Sequence, residues 1–92
     1  MEIEFDQAKM LLTLAQRGLD MNDAPLVFAG LKVTFIDSRI DYGELRWITV
    51  GFLDGRMVII VWTEREGRRR IISMRKANDK EQDTYRSRMA GS

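Results

Sequence analysis

The N-terminal part of the chain places apolar residues at the spacing of a helix. They recur at intervals of three and four residues, at Ala8, Leu11, Leu12 and Ala15, with Leu14 widening the stripe. This periodicity predicts an amphipathic helix over residues 7–17. Asp6 is the expected N-cap, because its carboxylate can accept from free N–H groups of the first turn, and Gly18 supplies a left-handed stop.

A second, shorter helix is predicted directly after the first. Asn22 is its expected cap, Pro25 falls in its first turn, and Gly30 ends it. Ahead of both helices, residues 3–5 are either a short edge strand or an extended lead-in.

The hydrophobic period then changes from 3.6 to 2. Residues 31–36 alternate as a strand, and residues 45–53 and 56–63 flank Asp54-Gly55, which fits a type I′ hairpin turn. With that register, the face expected to pack on the helices carries Phe52–Met57, Val50–Ile59, Ile48–Val61 and Arg46–Thr63. The other face is more mixed and carries the pair Trp47–Trp62.

The C-terminal part adds a strand and a helix. A four-residue turn, 64–67, leads into a strand over 68–75, whose residues on the Trp face would be Arg69, Ile71, Ser73 and Arg75. Asn78 and Glu81 match a capping box that starts a helix over 79–89. We therefore expect one α+β domain over 1–92, with two N-terminal helices, a four-stranded antiparallel sheet and a C-terminal helix.

Composition narrows the chemistry of the protein. Apolar residues are 45% and charged residues 32% of the chain, which indicates a globular protein. Because Cys and His are both absent, disulfides, zinc sites built on these residues, Cys nucleophiles and imidazole catalysis are excluded. An all-carboxylate Mg²⁺ or Ca²⁺ site stays open on residue types. No apolar run approaches a membrane span and the acidic N-terminus is unlike a signal peptide, so we expect a cytoplasmic protein.

The net charge of +1 conceals an uneven distribution. Residues 1–44 contain four Lys/Arg and eight Asp/Glu, whereas residues 45–92 contain eleven and six. The segment from Arg65 to Lys76 is the most basic, with six Lys/Arg and one Glu. It is either a charged edge strand that keeps the protein soluble or a phosphate-binding surface.

Other candidate residues allow two interpretations each. Arg46 either extends to water from the rim of a core face or lines a cleft. The loop residues Asp41, Tyr42, Glu44, Glu64 and Glu66 serve either turn formation or acid–base chemistry beside the arginines. Trp47 and Trp62 either stack on nucleobases or form a cross-strand pair.

The order and spacing of several motifs resemble the BrnT toxin family over about residues 3–86. The motifs are Phe5-Asp6-x-x-Lys9, Leu14-Ala-x-x-Gly18, Asp37-x-Arg39-x-Asp41-Tyr-Gly-Glu44-x-Arg46, Asp54-Gly-Arg56, Thr63-Glu-Arg65, and Arg70-Ile-Ile-Ser73-x-Arg75-Lys76-Ala77 followed by Glu81 and Tyr85. The resemblance implies a RelE-like ribonuclease, the toxin of a type II toxin–antitoxin pair, which cuts RNA and arrests translation. It also implies a BrnA antitoxin with a DNA-binding domain, whose complex with the toxin represses their operon.

One departure from the family pattern bears on catalysis. The family commonly has Lys-His before the glycine that ends the first helix, and this chain has Gln16-Arg17. Arg17 keeps a positive charge, but a guanidinium group in a protein does not give up its proton and is therefore a poor proton donor.

The leading hypothesis is RNA cleavage without a cofactor or metal. Arg46 and Arg75 would clamp the scissile phosphate, and Glu64 would accept the 2′-hydroxyl proton. The flanking RNA backbone would be held by Lys9, Arg17, Arg65, Arg70 and Lys76. Two alternatives remain: a catalytically silent module that binds an antitoxin or nucleic acid, and an RNA binder that stacks bases on its Trp pair. The cleavage hypothesis needs Arg46, Arg70 and Arg75 to converge at one end of the sheet.

Overall fold

The computed structural model describes residues 1–91 and has an α+β fold. A 3-10 turn, Met21–Asp23, precedes the second helix. In chain order the elements are β1 (Ile3–Phe5), α1 (Gln7–Arg17), α2 (Ala24–Ala29), β2 (Val33–Ile36), β3 (Trp47–Leu53), β4 (Arg56–Arg65), β5 (Arg68–Lys76) and α3 (Asp79–Met89). Within residues 1–91, no helix is both long and apolar enough to cross a membrane.

The predicted ends of α1 and α3 are confirmed. The Asp6 carboxylate accepts from the backbone N–H of Lys9 at 3.1 Å, and Gly18 adopts a φ of 67° that an L-residue rarely takes. At α3, Asn78 and Glu81 form the reciprocal capping box. The predicted cap of the second helix is wrong, since Asp20 accepts from Asn22 at 2.9 Å and starts the 3-10 turn ahead of α2.

The β3–β4 hairpin has the predicted register, from Leu53 opposite Arg56 to Trp47 opposite Trp62. Asp54 and Gly55 both have positive φ, 51° and 76°, as a type I′ turn requires. This local geometry follows from the turn residues, because two residues that accept positive φ match the twist of the strands on either side.

The sheet has five strands and is mixed, in the order β1-β5-β4-β3-β2, so the prediction of four antiparallel strands is wrong in this respect. The fifth strand is β1, which pairs in parallel with β5, with Ile3 opposite Arg69. Pairing between segments that are far apart in the chain leaves no local signal in sequence, and three residues are too few to show a period.

A β-bulge changes which side chains of β5 share a face. The turn before β5 uses only Glu66 and Gly67, both at positive φ, and the register then shifts between Val61 and Trp62. Arg69 and Ile71 lie on the Trp face as predicted. After the bulge, Ser73 pairs with Val61 and Arg75 with Ile59, so these two lie on the opposite face and their predicted placement is wrong.

Helices cover both faces of the sheet. The N-terminal helices pack on the Trp face, where Trp62 is buried and meets Phe28 edge to face at 5.7 Å. The face with the longer apolar rows packs on α3 through Tyr85 and Met89. The sequence predicted that the face with Val50, Ile59 and Ile48 packs on the helices, and this is confirmed for α3 only. The N-terminal helices pack on the other face, because internal strands are apolar on both sides.

Helix α1 turns its regular apolar stripe away from the core. The residues that α1 buries are Met10 and Thr13, whereas the stripe Ala8, Leu11, Leu12 and Ala15 is exposed. The helix is correctly predicted in its limits, but its stripe does not mark the side that packs on the sheet.

Candidate active site

A cavity of about 590 Å³ opens between the α3 face of the sheet, the segment 35–39 and α3. Strands supply its apolar floor through Ile48, Ile59 and Val61. Polar and aromatic side chains surround this floor, namely Asp37, Ser38, Arg39, Ser73, Arg75, Glu81, Tyr85 and Arg88, together with Phe35 and Ile36. We call this cavity the sheet pocket. Three guanidinium groups on one concave surface suit an anionic ligand.

Arg75 is held in the sheet pocket by Glu81. Its Nη1 and Nη2 donate to the two carboxylate oxygens of Glu81 at 2.8 and 2.7 Å. The Arg75 guanidinium lowers the pKa of Glu81 to about 2, and Glu81 in turn raises the pKa of Arg75. A bidentate pair of this kind fixes the plane of the guanidinium as well as its position.

Arg39 is held in the same way by Asp37, a buried carboxylate. Arg39 donates from Nε and Nη2 at 2.8 Å each, and its backbone N–H donates at 3.2 Å. Hydrogen bonds from Arg39 outweigh burial and lower the pKa of Asp37 to about 2. The Asp37 side chain is fully buried and that of Arg39 is 63% exposed, so the carboxylate anchors a guanidinium that reaches solvent at the pocket rim.

The two anchored guanidinium groups affect each other. The charge of Arg39 opposes part of the pKa rise that Glu81 causes at Arg75. Asp37 and Glu81 offset these two charges, and Arg88 is a third cation of the pocket lining.

The wall of the sheet pocket formed by α3 is aromatic. Tyr85 stacks on Phe35 of β2, with ring centroids 5.9 Å apart and planes at 20°. The Arg88 guanidinium lies 5.7 Å from each ring. This arrangement offers a flat surface beside positive charge, as single-stranded nucleic acid requires.

A second, smaller depression adjoins the pocket at Arg75. It is lined by Gln16, Arg17, Arg75 and Lys76, and we call it the Arg17 depression. Arg17 is fixed there because its Nη1 donates to the Met74 carbonyl at 3.0 Å. The structure thus brings together three of the predicted site residues: Arg17, Arg75 and Lys76.

The structure places the other predicted cations elsewhere. Arg46 pairs with Glu44 at 3.3 Å and covers the Tyr42 ring, and Arg65 also pairs with Glu44. Arg70 pairs with Glu4 at 3.9 Å. Lys9 is exposed near the start of α1.

The expected convergence of Arg46, Arg70 and Arg75 is not present. Arg70 is opposite Thr63 and Arg75 opposite Ile59, which separates them by about 13 Å along β4. Arg46 lies at the Thr63 end, where the Thr63 hydroxyl donates to the Leu45 carbonyl at 2.6 Å.

Glu64 and the Trp pair lie on the opposite side of the sheet from Arg75. They line a separate cavity of about 360 Å³. Trp47 stacks on Trp62 at 6.0 Å, and the Trp62 indole N–H donates to the Thr49 hydroxyl at 2.9 Å. Of the two interpretations of this pair, the structure supports the cross-strand pair, with Trp62 in the core.

Several pocket residues were absent from the predicted site. Asp37, Arg39, Glu81 and Tyr85 occur in the motifs that carry the family resemblance, but no sequence signal indicated that they share one cavity with Arg75. Glu81 was predicted only as part of a helix cap. Across residues 1–91, no group of three or more carboxylates could hold a metal ion.

An α+β protein with a guanidinium-lined pocket on its sheet has the features of a protein that binds an anionic ligand. The family described as ribonuclease toxin, BrnT, of type II toxin–antitoxin systems matches the chain over residues 5–81. The chain belongs to this BrnT family, which confirms the resemblance seen in its motifs, and a toxin of this class has an antitoxin partner. No curated protein matches the chain.

Proposed function

We propose that this chain is a toxin that cleaves RNA without a metal ion and thereby arrests translation in the cytoplasm. The observation that carries the proposal is the pair Arg39 and Arg75, each fixed by a carboxylate and both lining one pocket. Fixed cations stabilise charge that develops in a transition state at no further cost of reorganisation.

The proposed reaction is an in-line transfer within the RNA. The ribose 2′-oxygen attacks the adjacent phosphorus, the bond from phosphorus to the 5′-oxygen breaks, and a 2′,3′-cyclic phosphate forms. The 2′-hydroxyl proton goes to solvent and the leaving 5′-oxygen takes a proton from solvent. Arg39 and Arg75 would bind the non-bridging oxygens, since a guanidinium has five N–H donors and Glu81 occupies only part of those of Arg75.

Charge and orientation, not proton abstraction, would supply most of the acceleration. Both carboxylates of the pocket have a pKa of about 2 and are poor bases at neutral pH. Glu64, the base suggested by the sequence, is across the sheet from Arg75. We therefore assign the clamp to Arg75 with Arg39, in place of Arg46, and assign no side chain as the base.

The RNA on one side of the scissile phosphate would follow the Arg17 depression. Arg17 and Lys76 lie there beside Arg75, which lines both cavities. On the other side, Tyr85 and Arg88 offer a stacking surface for a base. Arg17 stands where the family commonly has His, and as a fixed cation it would add charge stabilisation.

The partner of the toxin would be a BrnA-like antitoxin. We infer from the family that this antitoxin neutralises the chain and that the complex binds operator DNA through the antitoxin and represses its own operon.

The decisive experiment measures cleavage of a labelled RNA by the purified chain in EDTA, together with growth after expression. We expect cleavage with cyclic phosphate ends, and we expect Arg75→Ala to reduce it at least about 100-fold and relieve growth arrest. The matched control is Arg56→Ala at the exposed start of β4, which should behave as wild type. Strict dependence on Mg²⁺, or full activity of Arg75→Ala, would contradict the proposal.

A catalytically silent binding module is the second candidate. It is favoured by the lack of a neutral-pH base among the pocket carboxylates. It predicts salt-dependent RNA or antitoxin binding that Arg75→Ala weakens, no cyclic phosphate product, and normal growth on expression.

A further inference from the structure

The outer side of α1 is apolar along its whole length. Ala8, Leu11, Leu12 and Ala15 follow the spacing i, i+3, i+4, i+7 and are all exposed, with Leu11 at 54% and Leu12 at 55%. We call these four residues the α1 stripe. The helix packs on the sheet through its opposite side, where Met10 and Thr13 are buried.

This arrangement is unusual for a helix on a protein surface. Such a helix normally turns its apolar stripe inward and its polar residues outward. Exposed apolar residues are common singly, whereas a continuous patch marks a binding surface. Small residues at both ends and leucines between them are suited to close contact with a second helix.

The charge around the α1 stripe indicates what kind of helix fits. Residues 7–17 contain Lys9 and Arg17 and no acidic residue. At its C-terminal end the stripe leads to Gln16 and the Arg17 depression, where Lys76 and Arg75 add positive charge. A helix that lies along α1 therefore meets Lys9 at one edge and the basic groups of the Arg17 depression at one end.

We propose that the α1 stripe binds an amphipathic helix of a partner protein whose apolar side is flanked by acidic residues. A second copy of this chain is a poorer occupant, because its own α1 would bring the like charge of Lys9 and no acidic residue.

Docking at this surface would also inhibit the proposed reaction. Acidic residues at the end of the bound helix would reach the Arg17 depression, which shares Arg75 with the sheet pocket. They would compete there with RNA phosphates. This second part of the inference rests on the proposed function, whereas the docking itself does not.

The test uses the full chain and two synthetic helical peptides of about 20 residues with the same leucine and alanine positions. One has Glu at the flanking positions and the other has Lys. Fluorescence anisotropy of the labelled peptides gives their affinities, and hydrogen exchange locates the protected segment. We expect the Glu peptide to bind at least about tenfold more tightly than the Lys peptide, with protection in residues 7–17 and weakening by salt.

Two variants distinguish binding at the α1 stripe from nonspecific hydrophobic binding. The double variant Leu11→Gln with Leu12→Gln should weaken binding of the Glu peptide at least about tenfold and keep the melting temperature, since both side chains are exposed. The control Leu31→Gln replaces a leucine outside α1 that is at least as exposed, and this variant should bind as wild type.

The contrary outcomes are equally definite. Lack of binding, equal binding of both peptides, or unchanged binding to the double variant would overturn the proposal. Self-association that the double variant abolishes would assign the α1 stripe to a second copy and overturn it too. If the Glu peptide binds α1 but the chain cleaves no RNA, the proposed function fails and the docking surface stands.

Discussion

Glu81 holds Arg75 and caps helix α3 with the same carboxylate. Its Oε1 accepts from Arg75 at 2.8 Å and from the backbone N–H of Asn78 at 3.0 Å, while Oε2 accepts from Arg75 at 2.7 Å. The start of α3 and the guanidinium of the sheet pocket therefore have a fixed relative position. This relationship makes Glu81 a positioning residue whose effect can be measured apart from charge alone.

Glu81→Gln should separate RNA binding from turnover. The amide removes a negative charge beside Arg75, so we expect the KM for RNA to stay equal or fall. It also loosens the bidentate contact, so kcat should fall about tenfold. The measurement is a steady-state titration with a short RNA. Asp79→Asn removes an acidic residue from the same helix turn and should change neither constant; a rise in KM for Glu81→Gln would argue against the positioning role.

Asp37→Asn should destabilise the fold in a pH-dependent manner. The folded-state pKa of Asp37, about 2, lies below its ordinary value of 3.8 because of the Arg39 hydrogen bonds. The carboxylate therefore contributes stability that is complete above about pH 4 and is lost as pH falls through 2. We expect Asp37→Asn to lower the free energy of unfolding at pH 7 by about 1–2 kcal/mol, given that Arg39 is partly solvated.

The measurement is urea denaturation at pH 7 and at pH 2–3, where the difference between Asp37→Asn and wild type should narrow. Asp41→Asn, an exposed carboxylate in the same loop, is the control and should be near neutral at both pH values. An equal difference at both pH values would mean that Asp37 acts through packing and not through its charge.

Gly51 is required by the close approach of α2 to β3. A Cβ at this position would come within 2.7 Å of Val27 Cγ1 and 3.4 Å of the Leu31 carbonyl oxygen. Because Val27 is fully buried, Gly51→Ala should cost about 1–3 kcal/mol of stability, measured by thermal or urea unfolding.

Gly30→Ala is the matched control for Gly51. Its Cβ would be 3.8 Å from the nearest atom, the Leu26 carbonyl oxygen, and its φ of −99° suits any residue. We expect it to be neutral or slightly stabilising. Equal stability of the two alanine variants would show that α2 can move away from the sheet.

The pH dependence of cleavage tests whether charge stabilisation dominates. Because neither pocket carboxylate has a pKa near neutrality, we expect the rate constant to rise steadily from pH 5 to pH 8, as the 2′-hydroxyl loses its proton more readily to solvent. A single-turnover assay in EDTA at constant ionic strength measures it. A bell-shaped profile would instead indicate an acid and a base that the pocket geometry does not assign.

Local chemistry determined the limits of α1 and α3 and the register of the β3–β4 hairpin. The residues responsible act on neighbours within a few positions, so their effect can be predicted from the sequence. They are Asp6, Gly18, Asn78 and the Asp54-Gly55 turn. The basic character of β5 follows directly from its residues, and the order of the motifs indicated the family correctly.

The tertiary structure alone determined which side chains of these elements face the core, the pocket or the solvent. The bulge at Val61 and Trp62 moved Arg75 into a pocket with Arg39, and the α1 stripe, regular as it is, faces solvent. Periodicity identifies an element but not its partner, because burial depends on contacts between distant segments. The N-terminal strand β1 and the meeting of Arg39 with Arg75 in one pocket arise from such contacts too, which is why the architecture was predicted more closely than the site.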